Sequence, residues 1–322
     1  MRVLVAGATG VVGRQLVPQL IAAGHQVTAT TRSEGKAAGL RAAGADVAVV
    51  DGLDALAVGE AVARAEPDVV IHQMTALSGD FDLRHIERTF AATNQLRTTG
   101  LDNLLAAAQA AGARRVIAQS YAGWPNTRTG GPVKTEDDPL DQDPPKALRS
   151  TLDAIRYLEH AVVASPLEGI ALRYGALYGP GASDLMVDLL KRRQVPVIGN
   201  GAGIWSFLHV QDAASAAVAA LDHGAPGVYN VVDDEPAPVR EWLPALARAV
   251  GAKTPLRVPA WLGRLAAGEA AVSVMTKVRG SSNAKAKREL GWELAWPSWR
   301  DGFARGLDTT ADRAGTTGHD DR

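Results

Sequence analysis

Short apolar segments rich in β-branched residues alternate with longer segments of helical periodicity along the first half of this chain. The apolar segments predict strands at Arg2–Ala6, Gln26–Thr30, Asp46–Val49, Asp68–His72, Arg115–Gln119 and Gly169–Arg173. The periodic segments predict helices at about 11–23, 34–43, 54–65, 83–111 and 147–164. Strands that alternate with helices build βαβ units, so the pattern predicts an α/β fold with a doubly wound parallel sheet.

The first predicted strand runs straight into a turn in which a glycine stands at every third position, from Gly7 to Gly13. In such a turn the first glycine permits a tight bend, the second lets the backbone approach a pyrophosphate, and the third lets the helix pack closely. The phosphates would lie on the free N–H groups at the positive end of that helix. We therefore predict a dinucleotide cofactor bound by Gly7, Thr9, Gly10, Val11, Val12 and Gly13.

The second predicted strand bears on the choice between NAD and NADP. After this strand an acid binds the ribose 2′-hydroxyl of NAD, or a cation meets the 2′-phosphate of NADP. Here Arg32 and Ser33 follow the strand, and no carboxylate occupies the usual place. Because a guanidinium pairs with phosphate bidentately, the sequence favours NADP. The alternative is that Arg32 is a solvated surface residue and that Glu34 reaches back to hold NAD.

Further cofactor contacts are expected where the third and fourth strands end, because ligands bind at the carboxyl edge of such sheets. The residues at these two ends are Asp51, Gly52, Gln73, Met74 and Thr75. A polar loop at 121–146, rich in proline, glycine and aspartate, follows the fifth strand at the same edge.

Beyond Arg173 the pattern becomes irregular and rich in tryptophan, which predicts a smaller lobe that covers the substrate. We divide the chain into a dinucleotide-binding domain at 1–175 and a substrate-binding lobe at 176–307, intertwined as one unit. Residues 308–322 lack large apolar side chains and are predicted to be disordered.

Composition excludes several classes of function. The 34 basic and 35 acidic residues leave a net charge of −1, so no charged surface for nucleic acid or an anionic membrane is expected. No segment reaches the ~18 apolar residues of a membrane helix. The absence of cysteine excludes thiolate chemistry and, with a strand that begins at Arg2, favours a cytoplasmic protein. No histidine–carboxylate spacing typical of a metal site occurs, so no metal is predicted.

Several segments carry a recognisable family pattern. They are the turn GATGVVG, the helix TNQLRTTGLDNLL that contains Asn94, and the stretches LRYGALYGPG, FLHVQDAASA and GVYNVVDDEP. Over about residues 1–305 the chain resembles the extended short-chain dehydrogenase/reductase family, which includes the NAD-dependent epimerases and dehydratases. The resemblance implies a Rossmann-like, doubly wound parallel sheet with a smaller C-terminal α/β lobe for a small-molecule substrate. It also implies cofactor contacts from Asn94, Ser120 and Tyr174, and a homodimer that pairs through helices.

The chain departs from this family at the catalytic residues. Family enzymes use a tyrosine and a lysine four residues later, and the lysine lowers the pKa of the phenol from ~10 so that it exchanges protons near neutral pH. None of the five tyrosines here has a lysine at that distance, and Thr151 and Ile155 stand at the corresponding positions. Tyr121 with Ser120, at the end of the fifth strand, is therefore the predicted catalytic pair that polarises the substrate oxygen. The alternative is that Tyr121 is an aromatic lid that packs on the nicotinamide.

Trp205 bears on the identity of the substrate. Nucleotide-sugar members of the family commonly carry at this place an arginine that pairs with the diphosphate, which an indole cannot do. The predicted substrate contacts are Trp124, Trp205 and Tyr178. Aromatic side chains cover apolar or ring-bearing ligands, so we predict a small, fairly apolar carbonyl or hydroxyl compound.

Three functions are consistent with the sequence. The first is an NAD(P)-dependent oxidoreductase in which Tyr121 donates or accepts the proton. The second is an enzyme that keeps the cofactor but performs a non-redox step, such as a cyclase, isomerase or dehydratase. The third is a non-catalytic sensor or regulator that binds NADP. A bound cofactor that changes oxidation state during turnover would identify the first.

Overall fold

A computed structural model of the chain describes residues 1–77 and 86–307. The strands are β1 (Arg2–Ala6), β2 (Gln26–Thr31), β3 (Asp46–Val49), β4 (Val69–His72), β5 (Arg115–Tyr121), β6 (Val133–Lys134), β7 (Glu168–Tyr174), β8 (Ala176–Tyr178), β9 (Val197–Ile198), β10 (Ile204–Trp205), β11 (Phe207–His209), β12 (Gly227–Val231), β13 (Ala237–Pro238), β14 (Arg257–Val258) and β15 (Gly280–Ser281). The helices are α1 (Gly13–Ala22), α2 (Glu34–Ala42), α3 (Ala55–Ala65), α4 (Ile86–Gln95), α5 (Leu101–Ala110), α6 (Arg149–Val163), α7 (Asp184–Lys191), α8 (Val210–Ala219), α9 (Val239–Ala249), α10 (Ala260–Thr276), α11 (Ala284–Leu290) and α12 (Trp299–Arg305). None of the helices in these two ranges is long and apolar enough to cross a membrane.

The central sheet has seven parallel strands in the order β12-β7-β5-β4-β1-β2-β3. The predicted α/β fold with a doubly wound parallel sheet is therefore confirmed. All six predicted strands are present, each within two residues of its predicted bounds. The seventh, β12, pairs with β7 at the sheet edge although it lies far beyond residue 175.

Both faces of the sheet are covered, which explains the continuous apolar character of its strands. Val3 and Val5 of β1 belong to a core that α1 and α8 cover, whereas Leu4 and Ala6 face a second core under α3 and α5. Successive side chains of a strand point to opposite faces, so a strand covered on both sides needs apolar residues throughout.

The predicted helix at 83–111 is interrupted. Its described part consists of α4, a π-helical segment at Leu96–Gly100, and α5. Residues 83–85 lie outside the described residues. A π-helical turn inserts extra backbone without breaking the apolar spacing on either side, so the sequence pattern does not reveal it.

The C-terminal lobe has its own core, built around Trp242, Trp299, Phe207 and Phe303. In contrast, α8, β12 and α11 pack into the core of the central sheet. The central sheet and its core therefore take residues from both sides of the predicted boundary between 175 and 176. The predicted disordered segment at 308–322 lies outside the described residues.

Asp233, just after β12, is an ionisable residue with only 1% of its surface exposed. Its Oδ2 atom has no hydrogen-bond partner among the described residues, and burial raises the pKa of the carboxyl to about 8. In the unfolded chain the same group ionises near pH ~4. Its contribution to stability is therefore fully present below pH ~4 and is lost as the pH rises through about 8.

We expect Asp233→Asn to remove this pH dependence, because the amide has the same shape and does not ionise. The free energy of unfolding of the variant, relative to the native protein, should rise between about pH 4 and pH 8, by at most ~1.4 kcal/mol per pH unit. Urea unfolding at a series of pH values measures this slope. A difference that stays constant over the range would contradict the buried, protonated state.

Candidate functional site

The glycine turn has a backbone geometry that only glycine allows at two positions. Gly7 has φ 91°, and a Cβ there would lie 2.6 Å from the carbonyl carbon of Gln73. A Cβ on Gly13 would lie 2.5 Å from the carbonyl oxygen of Gly7. Both contacts are with backbone, which cannot give way as a flexible side chain can. The turn is thereby held tightly against β4 and the start of α1.

The other residues of the turn lie where a pyrophosphate would need them. Thr9 and Val11 are half-buried and Gly10 is exposed, at the N-terminal end of α1. A helix N-terminus with free N–H groups and a bare backbone in front of it is suited to bind an anion. The predicted cradle for the phosphates therefore fits the local structure, while the contacts themselves stay a prediction.

An apolar cavity lies beside the turn, between β1, β3, α3 and α5. It is lined by Leu4, Ala6, Thr30, Val50, Gly52, Val58, Ala61, Val62, Met74 and Leu104. The sulfur of Met74 fills the space where a side chain at Gly52 would lie. Asp51 is exposed at the rim, and its carboxylate accepts a hydrogen bond from the N–H of Leu53 at 3.0 Å. Two predicted cofactor contacts thus line one cavity.

Arg32 and Ser33 follow β2 and are both exposed. Glu34, the residue of the alternative that favours NAD, forms an ion pair with Arg41 at 3.2 Å along the same helix. The Glu34 carboxylate therefore points along α2, toward Arg41. Thr75 is half-buried after β4, and no contact from it bears on the cofactor.

Ser120 is part of a buried ionic network at the end of β5. Its hydroxyl donates to Oε1 of Glu159 at 2.6 Å. The same carboxylate accepts from Nε and Nη2 of Arg173 at 2.7 and 2.6 Å. All three residues are almost fully buried. The proton of Ser120 is therefore committed to Glu159, so this serine is not poised to polarise a substrate.

Arg97 is a second buried cation, in the π-helical segment, with 5% of its surface exposed. Its Nη1 atom donates to Oδ1 of Asn94 over a long 3.4 Å. Asn94 in turn donates to the hydroxyl of Thr151 at 3.2 Å. Thr151, at the position of the family tyrosine, is thus buried and occupied by this contact. Burial lowers the pKa of Arg97 to about 10, and the side chain stays a cation at neutral pH.

Tyr121 lies between the polar side chains of Arg97, Asn94 and Thr151 on one side and a cavity in the C-terminal lobe on the other. Burial raises the pKa of its hydroxyl to about 12, and the nearby Arg97 cation lowers the pKa in part. Its ring centroid is 6.3 Å from that of Trp124. Tyr121 is therefore a neutral and weak acid near pH 7.

The lobe cavity is mostly apolar. It is lined by Tyr121, Ala122, Gly123, Trp124, Ala176, Ile204, Trp205, Ser206, Val274 and Val278. Trp205 is fixed there because its Nε1 donates to the carbonyl of Val274 at 3.1 Å and its ring packs 4.8 Å from that of Trp242. Three predicted site residues share this cavity, namely Tyr121 and Trp124 from one segment and Trp205 from a distant one.

Two tyrosines predicted at the site have buried side chains. Tyr174 is fully buried in the core of the sheet, and its hydroxyl accepts from Nε2 of Gln73 at 3.1 Å. Tyr178 lies in the core of the lobe, against His209 and Phe303. A side chain without accessible surface cannot touch a ligand unless its surroundings move. The hydroxyl groups of both tyrosines therefore lie among core residues, and Gln73 is the hydrogen-bond partner of Tyr174.

The sequence reasoning missed Arg97 and the apolar wall formed by Ile204, Val274 and Val278. A signal for Arg97 was present, because it lies four and seven residues before Leu101 and Leu104 on a buried face. A charged residue inside an apolar helical stripe is a candidate for a buried ionic role. The wall residues lie on short, irregular elements with no such signal.

A model of the NAD dependent epimerase/dehydratase family matches residues 3–231. A Streptomyces protein named 3-diazoavenalumate denitrifying reductase is 47% identical over 311 residues, which cover 95% of this chain and 100% of that protein. A 2-alkyl-3-oxoalkanoate reductase of Stenotrophomonas maltophilia is 30% identical, with 78% of this chain and 76% of that protein covered.

Solved structures share the fold. The UDP-glucose 4-epimerase of Thermotoga maritima, solved with UDP-glucose, has a TM-score of 0.75 at 22% identity, covering 98% of this chain and 100% of that one. A human epimerase family protein with NADPH has a TM-score of 0.71 at 18% identity, covering 95% and 99%. At this level of identity the likeness concerns the fold, which is the expected Rossmann-like one.

Proposed function

Because the chain belongs to the NAD dependent epimerase/dehydratase family, we propose that it is a nicotinamide-dependent reductase for a small, largely apolar aromatic compound. The observation that carries this proposal is the apolar cavity of Tyr121, Trp124 and Trp205. It lies at the carboxyl edge of the sheet, where ligands of such folds bind. Indole rings can cover an aromatic substrate but cannot neutralise a diphosphate, so a nucleotide sugar is disfavoured.

The cofactor in this proposal is NADP. The backbone N–H groups of the glycine turn would hold its pyrophosphate, and the cavity beside Gly52 and Met74 would hold the adenine. Arg32 and Ser33, exposed after β2, would bind the 2′-phosphate. The pairing of Glu34 with Arg41 supports this choice, because it leaves no carboxylate turned toward the 2′-position.

We expect Arg32→Gln to weaken NADPH binding by roughly tenfold or more, since a charge-assisted contact to phosphate is lost. NADH, which lacks this phosphate, should bind both proteins equally. Titration of each reduced cofactor by fluorescence measures the four affinities. Arg248→Gln removes an exposed arginine from α9 and is the matched control. Tighter binding of NADH than of NADPH by the native protein would overturn the assignment.

The substrate we favour carries a diazo group on its aromatic ring, as the name of the Streptomyces relative suggests. When bound, the reduced cofactor supplies a hydride, and an arenediazonium group that receives it is converted as Ar–N₂⁺ + H⁻ → Ar–H + N₂. The balance requires no proton. A carbonyl group, in contrast, must gain a proton on its oxygen as the hydride arrives.

The residues of the site fit an acceptor that needs no proton. The family pair of tyrosine and lysine is absent from the sequence. The pKa of Tyr121 is raised to about 12, and the hydroxyl of Ser120 donates to Glu159. In this reading Tyr121 packs on the substrate ring and excludes water, and no side chain has to act as an acid.

Carbonyl reduction with Tyr121 as the proton donor is the second candidate. It is favoured by the position of the Tyr121 hydroxyl beside the cavity and the Arg97 cation. The Stenotrophomonas relative, named as a reductase of an oxoalkanoate, supports the same chemistry. Under this hypothesis the proton leaves Tyr121 for the substrate oxygen.

The variant Tyr121→Phe distinguishes the diazo proposal from the carbonyl proposal. With 4-hydroxybenzenediazonium and NADPH, we expect the native protein to form phenol and N₂ in equal amounts, and the variant to keep this rate within a few-fold. With 4-hydroxybenzaldehyde, an acid role for Tyr121 would make the variant slower by roughly 100-fold or more. Product analysis by chromatography and the loss of NADPH absorbance are the measurements.

Reactions without protein are the control, because diazonium salts react slowly with many reductants. Formation of phenol no faster than in this control, together with reduction of the aldehyde that Tyr121→Phe abolishes, would replace the diazo proposal with the carbonyl one. Turnover of neither compound would contradict both.

A further inference from the structure

Arg97 is a buried guanidinium that forms no ion pair with any carboxylate in the part of the chain that the structure describes. It exposes 5% of its surface, and the one hydrogen bond that its side chain forms within the described residues, to Oδ1 of Asn94, is long at 3.4 Å. Within residues 1–77 and 86–307 no carboxylate lies at ion-pair distance from it. Arginine is almost never buried in this way unless it is paired, because desolvation of a lone charge is costly.

The acid in its surroundings is already occupied. Glu159 receives two hydrogen bonds from Arg173, at 2.6 and 2.7 Å, and one from Ser120 at 2.6 Å. Arg173 and Glu159 form an ion pair of their own, so together they are neutral. Arg97 therefore adds a net positive charge to this part of the interior, and several of its N–H donors are free to bind a ligand.

Arg97 is close enough to Tyr121, a residue that lines the proposed substrate cavity, for the two side chains to interact electrostatically. The π-helical segment is tied to the end of β4, where Nε2 of His72 bonds to the carbonyl of Leu96 at 3.0 Å. The neighbouring end of β5 carries Tyr121, which lines the apolar cavity. Tyr121 and Arg97 influence each other electrostatically. Tyr121 does not neutralise the cation, since its hydroxyl is protonated near neutral pH.

We infer that Arg97 binds an anionic oxygen of the substrate, a carboxylate or a phenolate carried by the same aromatic compound. The inference rests on the proposed function in that it names the substrate class of the same cavity. A guanidinium can donate two parallel hydrogen bonds to a carboxylate and can also bond to a single phenolate oxygen, and burial strengthens either interaction. A positively charged arenediazonium without an anionic group would be repelled by Arg97, because the repulsion between like charges is weakly screened in a protein interior.

Two probes that differ only in charge test this inference without any turnover. The protein is loaded with NADP⁺ and titrated with cinnamate or with cinnamide, and the fluorescence of Trp124 and Trp205 reports binding. We expect the native protein to bind cinnamate at least roughly tenfold more tightly than cinnamide. Arg97→Gln should reduce the affinity for cinnamate to that for cinnamide, whereas Arg97→Lys should keep part of the preference.

The matched control is Arg88→Gln, which removes an exposed arginine from α4 and should leave both affinities unchanged. NADPH affinity is measured in each variant, and in Arg97→Gln it should change by less than a few-fold. Circular dichroism and urea unfolding verify that Arg97→Gln and Arg97→Lys are folded.

Three outcomes would overturn the inference. They are a native protein with no preference for cinnamate, an equal loss of both probes in Arg97→Gln, and a loss of NADPH affinity as large as that of cinnamate. The last would assign Arg97 to the cofactor. Because these readouts require no turnover, a protein that prefers cinnamate but reduces no diazo compound would contradict the proposed function and leave this inference standing.

Discussion

Replacement of Arg173 by methionine is expected to lower the free energy of unfolding by about 3–5 kcal/mol, because it leaves Glu159 buried without its counter-ion. Nη2 of Arg173 lies 2.6 Å from Oε2 of Glu159, and the two side chains are 6% and 8% exposed, respectively. Methionine fills a similar volume but offers no donor to the carboxylate. Urea unfolding at neutral pH measures the loss.

Burial, and not the ion pair as such, is the source of this expected loss. Arg114→Met is the matched control, since Arg114 and Glu168 also lie 2.6 Å apart but are 44% and 42% exposed. Exposed pairs contribute roughly 0–1 kcal/mol, so this variant should lose little stability. Adding Glu159→Leu to Arg173→Met should restore much of the loss, because neither charge of this pair then remains buried. Equal, small losses at both arginines would show that Glu159 is not sequestered from water.

Replacement of Gly13 by alanine is expected to weaken NADPH binding by roughly tenfold to hundredfold. The new Cβ would meet the carbonyl oxygen of Gly7 at 2.5 Å and the backbone of Ala8 at 2.6 Å. Only a backbone shift relieves such contacts, and the shift moves the N–H groups that would hold the pyrophosphate. Fluorescence titration with NADPH measures the effect.

Gly59→Ala is the control for this substitution. Gly59 lies inside α3, and no atom comes within 4 Å of a Cβ placed there. Alanine should therefore stabilise the helix by about 0.5–1 kcal/mol and leave cofactor binding unchanged. Unchanged NADPH affinity in Gly13→Ala would contradict the predicted place of the dinucleotide.

The architecture of the central sheet could be predicted because its causes are local. Each strand is covered on both sides and needs an apolar run, and a glycine follows several of the helices where the chain turns back. β12 escaped the prediction, since nothing within Gly227–Val231 tells a strand of the large sheet from one in the smaller lobe. That assignment depends on its pairing with β7.

The site could be predicted only in part. Trp124 and Trp205 were expected at the substrate, and both line the cavity of Tyr121. Tyr174 and Tyr178 were also expected at the site, but their side chains are buried in two different cores. Residue type alone did not distinguish the aromatic residues of the cavity from those of the cores, because an aromatic ring is suited equally to a ligand pocket and to a core.

The sequence by itself determined the parallel sheet, the dinucleotide turn and the loss of the tyrosine–lysine pair, because periodicity, glycine spacing and residue identity are properties of the chain. Only the tertiary structure decided the charge of the site. Arg97, Glu159 and Arg173 come from three separate elements, and among the described residues folding pairs Glu159 with Arg173 and gives Arg97 no carboxylate partner. Which charge is left over depends on distances of a few ångströms between distant segments. No pattern along the chain encodes those distances.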